Sequence, residues 1–287
     1  MSQAEHGRAV RAALVVDGDL RRVMAGLGSA EHPNGRVLRA YRVARRSLRA
    51  SGGLRPQAVA ETLQELRGAM LQVAMKTLAD AAAAGAASAR KQLAAYDAPA
   101  RPTMYNSQPA LQAWLSVVDG QAAAVQAAVA TGAEAALIVG DGQQAGLLNP
   151  TPATREGARW AAVAAMGAWW AWIQGSLAGQ RQGGSDELQK QVVAALDERT
   201  TDCCLRAHGQ VVDLDADFEL RGEPKYADRL QWTPFHWYCR SSIALVRRRD
   251  AGDGLTQQMV EAAGAELRAR RDGSRTEIHP AHARSRR

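Results

Sequence analysis

Asp197-Glu-Arg-Thr-Thr-Asp-Cys-Cys204, His208-Gly-Gln-Val-Val212 and Pro234-Phe-His-Trp-Tyr-Cys-Arg-Ser-Ser242 mark the place where the texture of this 287-residue chain changes. Before Leu196 the apolar residues recur at helical spacing. After it, short β-type runs at Val211-Val212 and at 243–246 are separated by turn residues, and cysteine and histidine appear together. The expected fold class is therefore α+β and predominantly α-helical. An extended helical N-terminal region precedes a small loop-rich α+β C-terminal module carrying short strands.

Toward the N-terminus, Leu20, Val23, Met24 and Leu27 follow the i, i+3, i+4, i+7 stripe of an amphipathic helix, which ends in a loop at 28–35. A second helix from Arg36 places Val37, Tyr41, Ala44 and Leu48 on one side, with Arg39, Arg42, Arg46 and Arg49 on another. Pro56 suits a helix first turn. Val59, Leu63, Leu66, Met70 and Val73 then form a seam that runs into an Ala-rich stretch ending near Pro99 and Pro102. Small side chains there permit close helix approach, in a packed bundle or an oligomer contact. Ser107-Gln-Pro109 opens a helix through Trp114, Val118, Val125 and Val129, and 140–152 is a break. Thr154 is expected to cap a Trp-rich helix reaching about Ser176, and 179–184 reads as a flexible joint. Ser185-Asp-Glu187 reads as the cap and first turn of a helix carrying Leu188, Val192 and Leu196. A further helix is expected over 255–271, with a disordered end from Asp272. The expected divisions are 1–150, 151–249 and an Arg-rich tail at 250–287.

The chain carries 36 Lys+Arg against 29 Asp+Glu, a net charge of +7, and its basic residues are nearly all Arg. Such a bias suits phosphate or carboxylate recognition, and a GC-rich genome produces it as well. The Arg39, Arg42, Arg46 and Arg49 stripe has two readings, a contact with DNA phosphates or a solvated helix face. No signal-peptide pattern opens the chain, and the apolar run 161–173 falls short of the roughly 20 residues that span a bilayer. A soluble protein with three cysteines in a reducing compartment is expected. Gly140-Asp-Gly142-Gln-Gln-Ala145-Gly146 approximates a dinucleotide-binding turn, but Pro150 and Pro152 leave no room for the helix that motif needs. With no P-loop, H-E-x-x-H or G-x-S-x-G pattern, no enzymatic activity is expected.

Cys203 or Cys204 with His208, and His236 with Cys239, could meet as a tetrahedral zinc site, the candidate set being Cys203, His208, His236 and Cys239. The spacing is not that of a standard knuckle. A metal-free arrangement is expected instead, with Cys203 and Cys239 as small buried residues, His236 bonded to the backbone, and Arg240 paired with Asp197 or Asp202.

The order of these elements resembles the C-terminal signature of the Mu F-like minor head proteins of tailed phages: a D-x-R-T-T-x-x-C opening, a small G-x-x-[VF] hairpin and a P-P-x-H-P-N-C-R-C-type ending. The resemblance carries over to Asp197, Arg199, Thr200, Thr201, Cys204, Gly209, Pro234, His236, Cys239 and Arg240. Trp237-Tyr238 stands where Pro-Asn is usual, and Ser241 replaces the final Cys. The match covers about fifty residues. It implies a structural minor capsid protein of the capsid interior at the portal vertex, made in the host cytoplasm and assisting procapsid assembly and DNA packaging or ejection. It further implies the portal protein and the major capsid protein as partners, oligomers during assembly, and packaged double-stranded DNA as a non-specific neighbour. On this reading 1–150 is the assembly and portal-binding region and 151–249 the head-morphogenesis module. The Val59–Val73 seam, the Ala-rich continuation through Ala89 and the Trp160–Trp172 cluster are expected to exceed what a small module can cover, and so to meet other subunits. The competing readings are a DNA-associated protein acting outside a virion and a toxin-like effector. The first lacks a helix-turn-helix, and for the second residues 250–287 are too few for a catalytic domain.

Overall fold

The computed structural model describes residues 2–28, 32, 34–50, 54–98, 100–101, 103–140, 146–178, 188–221, 227–236 and 239–274. The helices are α1 (Ser2–Leu27), α2 (Arg36–Ala50), α3 (Pro56–Ala95), α4 (Gln108–Ala130), α5 (Ala135–Val139), α6 (Pro150–Ala178), α7 (Asp202–Ala207) and α8 (Gly254–Arg271). The strands are β1 (Leu188–Val193), β2 (Val211–Asp213), β3 (Phe218–Glu219), β4 (Arg229–Leu230) and β5 (Ser242–Arg247). The fold is α+β and predominantly helical, as the pattern of the sequence implies. Among the described residues no helix is long and apolar enough to cross a membrane.

Two compact units form. The first joins Met1–Arg21, Ala81–Tyr105 and Ala162–Arg287, and the second joins Arg22–Asp80 and Asn106–Ala161. Neither follows chain order, so the divisions expected at 150 and 249 do not coincide with them.

Among its described residues the second unit has helices and no strand. Val37, Tyr41, Ala44 and Leu48 of α2 are buried, as are Val59, Leu63, Leu66 and Met70 of α3, so each apolar stripe faces inward. Polar anchors supplement this packing. Tyr41 Oη donates to Gln121 Oε1, Gln121 Nε2 donates to the Asn149 carbonyl at 2.6 Å, and Arg45 Nε donates to the Leu148 carbonyl at 2.8 Å. Trp114 is fully buried and its indole N–H reaches the Ala153 carbonyl at 2.8 Å, which meets the polar requirement of a buried tryptophan.

The first unit holds the sheet, ordered β2-β1-β5 and antiparallel throughout. Residues 243–246 have no exposure, so β5 is covered on both faces. Cover comes from segments distant in sequence. Gln92 Nε2 donates to the Ile243 carbonyl and its Oε1 accepts from Leu245 N–H, at 3.0 and 2.7 Å. Tyr96 Oη donates to the Leu245 carbonyl at 2.8 Å, and Ser242 Oγ donates to the Ala13 carbonyl at 2.8 Å. Val10 and Ala13 of α1, Val193, Ala244 and Met259 form one apolar cluster.

The helix expected to carry Leu188, Val192 and Leu196 is instead β1, paired along its length with β5. A short apolar run cannot distinguish helix from strand by period alone, and pairing with the buried β5 decides for strand. Leu196 then lies exposed beyond the strand end. The expected cap at 185–187 and the joint at 179–184 lie outside the described residues, as does the tail beyond 274. Thr154 does not cap α6. It lies within that helix, which starts at Pro150, and its Oγ1 donates back to the Pro150 carbonyl at 2.9 Å. The Gly140–Gly146 turn follows a helix, α5, rather than the strand a dinucleotide site requires, and 141–145 lie outside the described residues.

Candidate functional site

The register of the sheet brings the two halves of the signature together. Val193, last in β1, pairs with Ser242, first in β5. In an antiparallel pair the chain leaving one strand and the chain entering the other emerge at the same end. Asp197 to Cys204 and Pro234 to Arg240 therefore meet there.

Arg240 closes the contact. Its guanidinium reaches Asp197 Oδ1 at 2.5 Å and Asp17 Oδ1 at 3.6 Å, so of the two expected partners Asp197 is the one used. Asp202 goes to Arg270, which also donates to the Thr200 carbonyl at 2.7 Å and the Asp197 carbonyl at 3.1 Å. Arg270 thus fastens the 197–202 turn to α8. The turn also holds itself: Asp197 Oδ1 accepts from Arg199 N–H at 3.0 Å and from Thr200 Oγ1 at 3.1 Å. Arg199 itself is exposed. Gly209 adopts φ +82° where the chain turns from α7 into β2, and a Cβ there would lie 2.7 Å from Val260 Cγ2. Both facts favour glycine. Pro234 follows a cis peptide bond.

Inside this frame lies the Cys/His node. Cys203, Cys204 and Cys239 are buried, with 1, 2 and 0% exposure, and His236 has 9%. Cys204 Sγ stands 3.0 Å from His236 Nε2 and 3.8 Å from Cys239 Sγ. Thr201 Oγ1 lies 2.9 Å from His236 Nε2 and 3.1 Å from Cys203 Sγ. The donor atoms of Cys203, Cys204 and His236 all fall within 4.8 Å of one another, a grouping able to hold a metal ion. The Nε2 of His236 thus meets two side chains, Thr201 and Cys204. His208 is not in the node, because its Nδ1 accepts the Ala194 N–H at 2.8 Å.

The thiols differ electrostatically. A hydrogen bond from Cys204, aided by Thr201 and the charge of His236, brings Cys203 down to about 7 against the effect of burial. Burial raises Cys239, yet hydrogen bonding to Cys204 and the proximity of His236 outweigh it and hold that thiol well below its ordinary value. Cys204, donating to both neighbours and fully enclosed, is pushed up.

Sequence reasoning passed over Lys190 as a structural residue. It is fully buried on β1, donates to the Leu214 and Gln231 carbonyls at 3.0 and 2.9 Å, and sits 3.9 Å from the Trp232 ring centroid. Desolvation lowers its pKa to about 8. Phe218 is the second ring against it, at 5.1 Å, and Trp169 and Trp170 pack in turn on Trp232, with centroids 6.2 and 4.3 Å away. Trp169 is fully buried and Trp170 half-buried within the first unit, and Val59, Leu63, Leu66 and Met70 are buried in the second. Part of the apolar surface expected to meet other subunits is covered within the units, while Val73, Trp160, Trp170 and Trp172 are half-buried.

Arg39, Arg42, Arg46 and Arg49 are exposed along α2. Arg39 donates to the Asn34 carbonyl at 2.8 Å and Arg49 to the Gly140 carbonyl at 3.3 Å. Between α2 and α3 lies an open groove of about 320 Å³, with Arg36, Arg39 and Glu65 among its polar walls and Val43, Leu66 and Ala69 among its apolar ones.

Comparison of the chain with protein-family models, with curated proteins and with solved structures gives no significant match to any of them.

Proposed function

We propose that this protein is a structural minor capsid protein of the Mu F-like type, acting at the portal vertex during head assembly and DNA packaging or ejection. The observation that carries this reading is the meeting of the two signature halves. Asp197, Thr200, Thr201, Cys204, His236, Cys239 and Arg240 all fall in one buried or half-buried knot. Their bonds run to one another and to the backbone, an arrangement that holds a shape. Helices α2 and α3 supply a candidate docking face: the groove between them has an apolar floor, with Val43 54% exposed, and an arginine rim. Such a face suits an acidic, apolar segment of a partner subunit. The exposed arginines of α2 support DNA as a non-specific neighbour through phosphate attraction.

Co-expression of the full chain with the portal protein of the same genome tests the reading. A defined complex is expected, and Val43→Asp should abolish it while leaving the melting temperature of the free protein unchanged, since Val43 is exposed. A monomer that ignores the portal and is absent from purified particles would overturn the proposal.

A further inference from the structure

We infer that Cys203, Cys204, Cys239 and His236 form a structural zinc site, with the imidazole and three thiolates as ligands. This inference stands apart from the assembly reading and reverses the metal-free expectation drawn from spacing alone. Cys204 Sγ is central, 3.0 Å from His236 Nε2 and, with Cys203 Sγ, part of a group of three donors within 4.8 Å of one another, while Cys239 Sγ stands beside that group, 3.8 Å from Cys204 Sγ. Tetrahedral zinc, with bonds of about 2.3 Å to sulfur and about 2.0 Å to nitrogen, requires donors roughly 3.5–3.8 Å apart in a set of three sulfurs and one nitrogen. Cys204 already meets that spacing with Cys239, and the site closes when the Cys239 side chain turns toward Cys203 and His236. Cys204 and Cys239 are free thiols, and their 3.8 Å separation matches the S···S edge of a tetrahedral zinc site.

The donor set also selects the metal. Three sulfurs and an imidazole suit zinc and not the hard cations, which take oxygen ligands. The nearby carboxylates are already committed: Asp197 binds Arg240 and Asp202 binds Arg270. Burial of all four ligands leaves no open position, the mark of a structural site rather than a catalytic one. Thr201 Oγ1, within hydrogen-bond reach of Cys203 Sγ, is placed to donate to a bound thiolate. Three thiolates around a divalent ion leave one negative charge, and the Arg240 guanidinium, next in sequence to Cys239, lies within electrostatic reach of that thiol. The fold gives zinc a task. Strands β3 and β4 have two residues each. Among the described residues, side-chain contacts of His236, Cys239 and Arg240 join the 234–240 segment to Thr201, Cys204 and Asp197 of the 197–204 segment. A metal bridging both segments would fix them together.

The test is made on the full chain, expressed with zinc in the medium and purified without chelators. About one zinc per chain is expected by elemental analysis. Replacing it with Co²⁺ should produce thiolate charge-transfer absorption and tetrahedral ligand-field bands. A chelator should lower the melting temperature, and Zn²⁺ but not Mg²⁺ should restore it. Cys239→Ser and His236→Ala should lose the metal, whereas His208→Asn should keep it, because His208 bonds Ala194 outside the node. Because a ligand variant can fail to fold, the cobalt spectrum of the unmodified chain is the deciding measurement. A folded chain with only traces of zinc, no cobalt–thiolate band and a melting curve indifferent to chelator would overturn the proposal. So would a Cys204–Cys239 disulfide found by mass spectrometry in protein purified with zinc under reducing conditions.

Discussion

Asp17 and Asp197 share one guanidinium, yet their carboxyls move in opposite directions. Asp17 is 4% exposed, and burial raises its pKa even with Arg240 and Arg21 alongside. Asp197 is 35% exposed, so although burial pushes it up, the hydrogen bond and charge of Arg240 prevail and hold it below the usual carboxylate range. Arg240→Ala would leave both without this partner. With water still reaching Asp197, the expected loss is about 3 kcal/mol, the lower end for breaking a buried pair, read by urea unfolding at neutral pH. A loss no larger than that of an exposed arginine such as Arg206 would show that the pair does not hold the fold. His208 gives the site a pH signature of a different kind. Burial lowers its pKa from 6.5 to about 4, so the folded chain keeps it neutral while it accepts the Ala194 N–H. Between those two values the unfolded chain binds the extra proton. Its contribution is thus fully present above about pH 6.5 and is lost as pH falls toward 4, about 3 kcal/mol in all. His208→Asn can keep the acceptor and removes the titration. The difference in stability between the two proteins should therefore shrink on going from pH 7.5 to pH 5. A pH-independent difference would refute this account.

At the scale of the element, α3 and α6 show why an Ala- and Gly-rich stretch packs as it does. A Cβ on Gly85 would lie 1.8 Å from the Ala165 carbonyl oxygen, whereas one on Gly68, in the same helix, would meet nothing within 4 Å. Gly68→Ala is expected to stabilise by roughly 1 kcal/mol, the helix-propensity gain. Gly85→Ala should destabilise by about 2 kcal/mol or more, because backbone must move. Thermal melts of the two variants check the contrast, and equal effects would mean that α3 and α6 are not in close contact at Gly85. Close approach was legible from the run of small residues, though not which glycine requires it. The α2 stripe and the α3 seam were equally legible, since each is a period of the local sequence. β1 was not. Its Leu188, Val192 and Leu196 spacing is helical, and only the partner strand fifty residues on makes it extended. Within the site, the pairing of Arg240 with Asp197 was readable because both lie in the signature. The role of Arg270 was not, as it is one of several arginines in the last turn of α8. Its place on the buried stripe with Met259, Ala263 and Glu266 was the available signal. Cys204 replaced His208 in the cysteine–histidine cluster because adjacent cysteines on a short helix give no spacing pattern to read.

For the whole molecule, the decisive feature is that the cysteine–histidine module is completed by chain far from it. β5 is roofed by Gln92 and Tyr96 of the second segment and by Ala13 of the first. His6, with no exposure, bonds Gln191 on β1 at 2.7 Å and Asp253 at the start of α8 at 2.9 Å. Arg247 is paired with Glu5 at 3.7 Å, and Asp17 is one of the two carboxylates on Arg240. A fragment of residues 151–287 would retain every residue of the signature but lose each of these contacts. Ile243, Ala244, Leu245 and Val246 would lose their cover, and Gln191 and Arg240 would each lose a buried partner. Apolar strand left open to water and polar groups left unpaired both act against folding, and neither can be repaired from within the fragment. The fragment is therefore expected to show no cooperative unfolding transition and rapid amide exchange throughout β1 and β5. Adding a separately made piece of residues 1–105 should restore protection in β5, since it supplies both missing segments. If the fragment instead unfolds cooperatively, with β5 amides protected as in the full chain, the module is autonomous and the long-range contacts are incidental to its fold.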